Sequence, residues 1–489
     1  MSKHSVLVDL CLAHKKNGFS GIPQDNRILF ASLSNSSQLD VTGWIYNDTL
    51  QYNSLNLNQI IDQSLFLGFA LDGRDIKNLF SLYLTCFWRF LKFLRKIKAV
   101  TKINHKNYNL HDSLDFSQIW RSFFQNVISP DEFNILSRNK YAITDLSNHR
   151  KLFALIPPFF NSDQYDFVLS QDARFVKLSP NTISLIRYHD AVPIFSSDTV
   201  SNSRALNAHY KNIKKREKES IFICSSPSSL HDLNRLSPVA AERAHVIPCI
   251  LPKMTRKETH YSNFIAIASS CISPATIGNN TSKELIERWM KLQSDTPTIP
   301  EFIMTLSTIE PRKNHLGLLA SWQQLRLSSR KDIKLLIVGS PGWMFEPIIA
   351  AMKPFVSSGD LLHLEKVPQN QLPYLYSAAT CFVFPSFAEG FGLPPCEAMQ
   401  CECPVAVSDI PAHRYSAGDG ALYFSPYDSD EMTEALHQLI FSDKDHSLRK
   451  KLIEKGLQNV KKFEKNTVLP QWEILFDELS ANKKKLNQK

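Results

Sequence analysis

Residues 381–399 read CFVFPSFAEGFGLPPCEAM. The run Cys381–Phe384 is apolar without alternation, the pattern of a strand buried on both faces of a parallel sheet. Gly390 and Gly392 let the backbone approach a ligand closely, and Pro394 and Pro395 suit the first turn of a helix. The unit is strand, loop, helix, with Glu389 on the loop and Glu397 in the first helical turn. Amides at a helix start bind hydroxyl or phosphate oxygens, and two carboxylates beside them suit a polyhydroxylated ligand that also carries phosphate, such as a sugar nucleotide. Taken alone, this spacing reads as one glutamate complementing the helix dipole and one surface charge. The surrounding residues overturn that reading.

Working outward, the same grammar repeats from Glu301 onward. EFIMTLS (301–307) precedes a helix near Asn314 to Ser328. IKLLIVGS (333–340) precedes a helix after Trp343, and LLHLEK (361–366) precedes one near Gln371 to Ala379. PVAVSD (404–409) and ALYFSP (421–426) complete the set. Apolar strands separated by helices define an α/β domain with a covered parallel sheet, a Rossmann-like unit. Earlier in the chain SVLVDL (5–10), VTGWIYN (41–47), ISLIRYHDAVPIF (183–195), SIFICSS (220–226) and AHVIPCIL (244–251) read as strands, and SPSSLHDLNRL (226–236) as a capped amphipathic helix. Periodicity breaks at KLQSDTPTIP (291–300). The expected organisation is two Rossmann-like domains, 1–295 and 296–465. Residues 466–489 form a helix and basic tail that crosses back to the first domain. Two such sheets facing each other make a cleft, with ligands beyond the carboxyl ends of the strands.

Composition narrows the classes. A chain of 489 residues with 43% hydrophobic residues can bury large cores in two or three domains. Fifty-six Lys and Arg against 47 Asp and Glu give a net charge of +9, which suits an anionic ligand or surface and does not indicate nucleic acid. Nine irregularly spaced cysteines are no disulfide framework. Cys381, Cys396, Cys401 and Cys403 lack a C-x2-C pair and read as core, so no metal site is expected. The opening MSKHSVLVDLCLAH fits a buried strand better than a signal peptide, and no apolar run is long enough to span a membrane. The expected location is cytoplasmic, with peripheral contact at the inner face of the membrane as an option. Residues 78–98, NLFSLYLTCFWRFLKFLRKIK, suit an anionic membrane surface and equally a core helix with a basic outer face.

TIEPRKNHLGLL (308–319) follows the first strand of the second domain. It places Arg312 and Lys313 between a strand end and a helix start, with Asn314 as a cap, where they can clamp a diphosphate.

The ordered runs TLSTIEPRKNHLGLLASW (305–322), LLIVGSPGWMFEPI (335–348), LPYLYSAATCFVFPSFAEGFGLPPCEAM (372–399), PVAVSDIPAHR (404–414) and GDGALYF (418–424) resemble the retaining, nucleotide-sugar-dependent glycosyltransferases of group 1, also called family 4. The resemblance covers residues 301 to about 475. It implies a GT-B fold, with the donor bound mainly by the second domain and the acceptor by the first. By the same resemblance Glu389 binds donor sugar hydroxyls, while Gly390, Phe391, Gly392 and Leu393 offer backbone contacts to sugar and phosphate. Glu397 holds the ribose hydroxyls, Arg312 and Lys313 neutralise the diphosphate, and Gly339 to Trp343 border the nucleotide. IRYHDAVPI resembles the family's strand ending in His-Asp, which points His189 at the donor sugar and gives Asp190 the loop.

Two stretches depart from the family's pattern. Gln400, Cys401, Glu402 and Cys403 replace small, glycine-containing residues, and Tyr415 replaces a glutamate. The N-terminal loop NGFSGIPQDNRILF (17–30) keeps Gly18 and Gly21 but has Pro23 and Gln24. Ser20, Gly21 and Ile22 are expected to line the cleft, and Gln24, Asp25 and Arg27 to contact acceptor or donor; a plain turn before a helix explains these residues as well.

The resemblance implies transfer of a hexose from a nucleoside diphosphate sugar to a glycan or lipid-linked glycan, with retention. Mannose from GDP-mannose is the first choice, a UDP-sugar the second, and bacterial surface polysaccharide such as lipopolysaccharide the setting. Arg312, Lys313 and helix-start amides supply the electrostatic stabilisation, so no metal or further cofactor is required. Rival classes are a sugar phosphorylase or sucrose-type synthase of the same fold, and an inactive glycan-assembly subunit.

Overall fold

The computed structural model describes residues 3–10, 21–47, 105–109, 133–134, 136, 138–145, 159–173, 177–195, 203–290, 298–442 and 447–487. Residues 78–98, Gly18, Ser20 and most of the expected linker at 291–300 lie outside them.

Two sheets organise the chain. The first comprises β1 (His4–Asp9), β2 (Leu39–Asn47), β3 (His105–Asn109), β4 (Lys140–Asp145), β5 (Phe167–Ser170), β6 (Ile183–Tyr188), β7 (Ser220–Cys224) and β8 (His245–Val246). Their order is β3-β4-β2-β1-β5-β6-β7-β8, parallel except for the β3–β4 pair. The second comprises β9 (Phe302–Leu306), β10 (Lys334–Val338), β11 (Leu361–Leu364), β12 (Cys381–Phe384), β13 (Val405–Ser408) and β14 (Ala421–Phe424) in the order β11-β10-β9-β12-β13-β14. All of its pairs are parallel. Two open parallel α/β sheets of this kind are the GT-B architecture.

Strand alternation explains why the second sheet's runs are apolar throughout. Phe302, Met304, Leu336 and Val338 enter the core on one face, and Ile303, Leu335 and Ile337 that on the other. Chain order reverses between β9 and β12, and in the first sheet between β1 and β5. These are switch points, where loops diverge and leave a crevice for a ligand.

Two features of the sequence read differently in three dimensions. VPIF in the expected strand 183–195 is a short helix, Val192–Phe195, because Asp190 accepts from the Val192 amide at 3.0 Å and turns the chain. AHVIPCIL contributes only the two residues of β8. The packing also shifts the expected division at 295/296. Phe264 stacks on Trp289 at 5.2 Å, and both rings lie against Phe302 of β9. Cys249, Leu251 and Met254 join that same core, while Ile247 and Ile250 belong to the first. On this packing we propose a division near residue 248.

The helix Lys465–Asn487 lies on the first sheet. Val468, Trp472, Leu475 and Phe476 share a core with Val6, Val8 and Phe167, and His4 bonds Asp477 at 2.7 Å. Trp472→Ala is expected to cost about 3–5 kcal/mol of stability, the range for deleting a buried large aromatic. Urea unfolding checks it, and an unchanged midpoint contradicts this packing.

Candidate active site

The loops after β9 and β12 emerge side by side at the switch point of the second sheet. After β9 the chain enters a single turn of 3-10 helix, Pro311–Lys313, with Glu310 before it. Asn314 then adopts a left-handed conformation, φ 55°, and its side chain accepts from the Gly317 amide at 3.3 Å to start the helix His315–Ser329. This turn aims Arg312 and Lys313 at the loop after β12.

There the two cations meet Glu389. Arg312 Nη1 lies 2.9 Å from Glu389 Oε2, and Lys313 Nζ pairs with Oε1. Arg312 also donates to the Ala388 carbonyl at 2.6 Å and to Glu310 Oε1 at 2.9 Å. The Glu389 side chain is 10% exposed. Burial by itself raises its pKa, but Arg312 and Lys313 outweigh burial and hold it well below the usual carboxylate range. Lys313 is shifted down, by burial and then by Arg312, against the pull of Glu389. Its ammonium sits 5.0 Å from the Phe384 ring centroid.

Glu397 stands in the helix Leu393–Gln400 and is 2% exposed. Its carboxylate accepts from Gln24 Nε2 at 2.9 Å and from the Tyr376 hydroxyl at 3.0 Å. Burial raises its pKa, opposed by these two hydrogen bonds. Gly392, φ 91°, begins this helix. A Cβ there would lie 3.0 Å from the His413 ring, so glycine is required by conformation and by space.

Gly390 is fixed by the opposite domain. A Cβ on it would collide with the His189 carbonyl oxygen, and its own carbonyl accepts from Ser226 Oγ at 2.6 Å. The loop after β12 therefore touches the end of β6 directly. His189 Nε2 is 3.1 Å from Gln171 Oε1 after β5, and burial shifts its pKa down. Gly21 faces Leu393; a Cβ on this glycine would stand 3.8 Å from Leu393 Cδ1, ordinary van der Waals contact.

Of the residues singled out in the sequence, the fold brings together Arg312, Lys313, Glu389, Gly390, Gly392, Leu393, Glu397, His189, Asp190, Gly21 and Gln24. Phe391 and Leu393 turn their side chains into the core, which leaves their backbone to the loop. Gly339 lies against the Ser307 carbonyl, too close for any Cβ, and Gly342 against Thr308; Trp343 follows half-buried. Arg27 is 1% exposed and Asp25 is buried in an ion pair with Arg187, Nε to Oδ2 3.2 Å. Neither has surface to offer an acceptor. Tyr415, the departure from the family's glutamate, packs edge-on against Phe391 and Phe463. The four clustered cysteines are all buried.

Glu310, Gln171, Ser226, Tyr376 and His413 are site residues that the sequence did not announce. Glu310, Tyr376 and His413 stand inside the runs that carry the resemblance, and Ser226 at the start of an expected helix, whereas Gln171 lies in none of the quoted stretches; the partners of Gln171, Ser226 and Tyr376 are brought to them only by folding. His413 Nδ1 donates to the Ser408 carbonyl at 3.0 Å, and Nε2 is buried without a partner.

Residues 290–459 match the family described as "Glycosyl transferases group 1". The O-antigen chain mannosyltransferase B of Escherichia coli is 36% identical over 162 residues, 33% of this chain and 42% of that protein. The O-antigen chain mannosyltransferase RfbU of Salmonella typhimurium is 45% identical over 76 residues, 16% of this chain and 22% of that one. The matched stretches thus span less than half of these relatives. A sucrose-phosphate synthase from Thermosynechococcus elongatus superposes with a TM-score of 0.57 over 98% of this chain and 100% of its own, at 15% identity, a likeness of fold. The similarity to group 1 glycosyltransferases lies in this C-terminal region. Among the described residues no helix is long and apolar enough to cross a membrane.

The buried histidines make stability pH-dependent. Burial lowers His413 and His363 from 6.5 to about 4. Between these values the unfolded chain holds more protons, so each histidine's contribution falls as pH drops from 6.5 towards 4. His413→Asn keeps a donor for Ser408 and should reduce the slope of urea stability in that window by up to about 1.4 kcal/mol per pH unit. An unchanged slope contradicts a neutral His413.

Proposed function

We propose that this chain is a retaining hexosyltransferase that takes mannose from GDP-mannose and adds it to a glycan acceptor in surface polysaccharide synthesis. The observation that carries the proposal is the buried Glu389 carboxylate held between Arg312 and Lys313 at the switch point, with Glu397 on the helix that follows. A nucleoside diphosphate sugar presents matching groups in the same order: sugar hydroxyls, diphosphate, ribose. Similarity to two O-antigen mannosyltransferases supports the choice of mannose and of a polysaccharide acceptor.

The chemistry follows from charge. When the bond between the anomeric carbon and the phosphate oxygen breaks, negative charge grows on the diphosphate. Arg312 and Lys313 stabilise that charge in a site already shielded from water. Glu389 fixes both cations beforehand, so little reorganisation is left for the transition state. No second carboxylate is assigned the part of nucleophile, unlike the paired acid and nucleophile of retaining hydrolases. The acceptor hydroxyl attacks on the face that the diphosphate leaves and gives its proton to the departing phosphate, which retains the anomeric configuration.

The test is transfer from GDP-mannose and from UDP-hexoses to lipid-linked oligosaccharide acceptors, with the product anomer read by NMR. An α-mannosyl product is expected; an inverted anomer contradicts the mechanism, and turnover with UDP-hexoses alone contradicts the donor. Arg312→Ala should lower kcat by about 100-fold, the loss typical of removing one electrostatic stabiliser of the transition state. Unchanged transfer by Glu389→Ala contradicts the role of the cluster.

A further inference from the structure

The Glu397 carboxylate has two side-chain partners of different character. Tyr376, on the helix Leu372–Ala378 of the same domain, is fully buried and bonds Oε2 at 3.0 Å. Gln24, on the helix Gly21–Ser34 of the opposite domain, is partly exposed and bonds Oε1 at 2.9 Å. A tyrosine locked in a core cannot leave without opening it. A glutamine at the edge of a cleft needs only to change rotamer.

The backbone beneath Gln24 is independently fixed. Its neighbour Asp25 is paired with Arg187 of β6, whose Nη1 also donates to the Ile247 carbonyl. Asn26 Nδ2 donates to the Asp9 carbonyl at the end of β1 at 3.0 Å. The side chain of Gln24 can swing away while its helix stays in register with β1 and β6.

We propose that the Gln24 amide stands in for a ribose hydroxyl on Glu397 Oε1, so that donor entry exchanges one hydrogen bond for another while Tyr376 holds the carboxylate in place. The inference rests on the proposed reading of Glu397 as the ribose acceptor and deepens it. A buried carboxylate left without donors costs free energy. Gln24 fills that need when the cleft is empty, and a ribose hydroxyl, also a donor, fills it when the cleft is occupied. Gln24 is thus a competitor of the nucleotide, and Tyr376 a positioning residue acting through Glu397.

Calorimetric titration of the full-length protein with GDP, UDP and their 2′,3′-dideoxy analogues tests the exchange. Gln24→Ala should tighten binding of the preferred nucleotide by roughly threefold to tenfold, the worth of one hydrogen bond, and leave the dideoxy analogue unchanged. Tyr376→Phe should weaken the ribose nucleotide by a similar factor and again spare the analogue. A purely structural effect would move both ligands together. If Glu397→Gln abolishes the advantage of ribose but Gln24→Ala leaves it unchanged or weaker, the exchange is overturned and the ribose reading stands. If Glu397→Gln has no effect, or neither nucleotide binds, the ribose reading falls and the exchange with it.

Discussion

A carboxylate inside a protein stays an anion only when opposite charge or hydrogen-bond donors are fixed beside it, and Glu389 meets this condition with Arg312 and Lys313. The constraint reaches in both directions. The cations need Glu389 to remain charged at low exposure, and the loop after β12 needs the cations to stay folded over the strand ends. Phe387 donates its amide to the Arg312 carbonyl at 2.9 Å, which ties the two loops by backbone as well as by charge. β9 and β12 are neighbours at the point where chain order reverses, the place where an open α/β sheet leaves a crevice for a ligand. Charge is concentrated where the fold leaves an opening.

The opposing domain completes this opening through short contacts. Gly390 lies against the His189 carbonyl, Ser226 donates to Gly390, and Gln24 reaches Glu397. Each joins an element at the carboxyl end of one sheet to an element at the carboxyl end of the other. The helix Lys465–Asn487 reinforces the relation from behind. It follows Phe463, whose ring packs on Phe391 and whose carbonyl accepts from the Leu251 amide, and its first half enters the core of the first sheet through Val468, Trp472, Leu475 and Phe476. The Arg187 guanidinium links these layers, with Asp25 on one side and the Trp472 ring 5.7 Å away on the other. A buried pair of this sort is weak evidence of stability but strongly specifies position, since removing one partner strands the other charge.

The legibility of the chain follows the same physics. The second sheet is readable because its strands are buried on both faces, so FIMTL, KLLIV, CFVF and VAVS stand out as apolar runs. In the first sheet β3 reads HKNYN and, among the described residues, pairs with β4 alone at the edge. It has no apolar pattern to display. The cation pair and both glutamates are readable because Arg312, Lys313 and Glu389 sit on short turns or loops at strand ends and Glu397 in the helix that follows, all within runs of familiar order. Gln171, Ser226 and Tyr376 are not, because a glutamine, a serine and a tyrosine gain meaning only from a partner far off in sequence. Arg27 shows the converse error: charge on a loop-to-helix stretch suggests a ligand contact, yet the helix turns it inward. The division between domains is hard to read for a related reason. Proline and polar residues mark 291–300, but Phe264 and Trp289 commit the preceding helices to the second core.

On the proposed reading Arg312 and Lys313 are placed for a diphosphate. This placement is tested most directly by calorimetric comparison of GDP with guanosine, in the wild-type protein and in Lys313→Met. The diphosphate is expected to strengthen binding at least about tenfold, as one charge-assisted contact would, and Lys313→Met to remove most of that difference while leaving guanosine affinity in place. Equal affinity for GDP and guanosine, or a difference that survives in Lys313→Met, would contradict it.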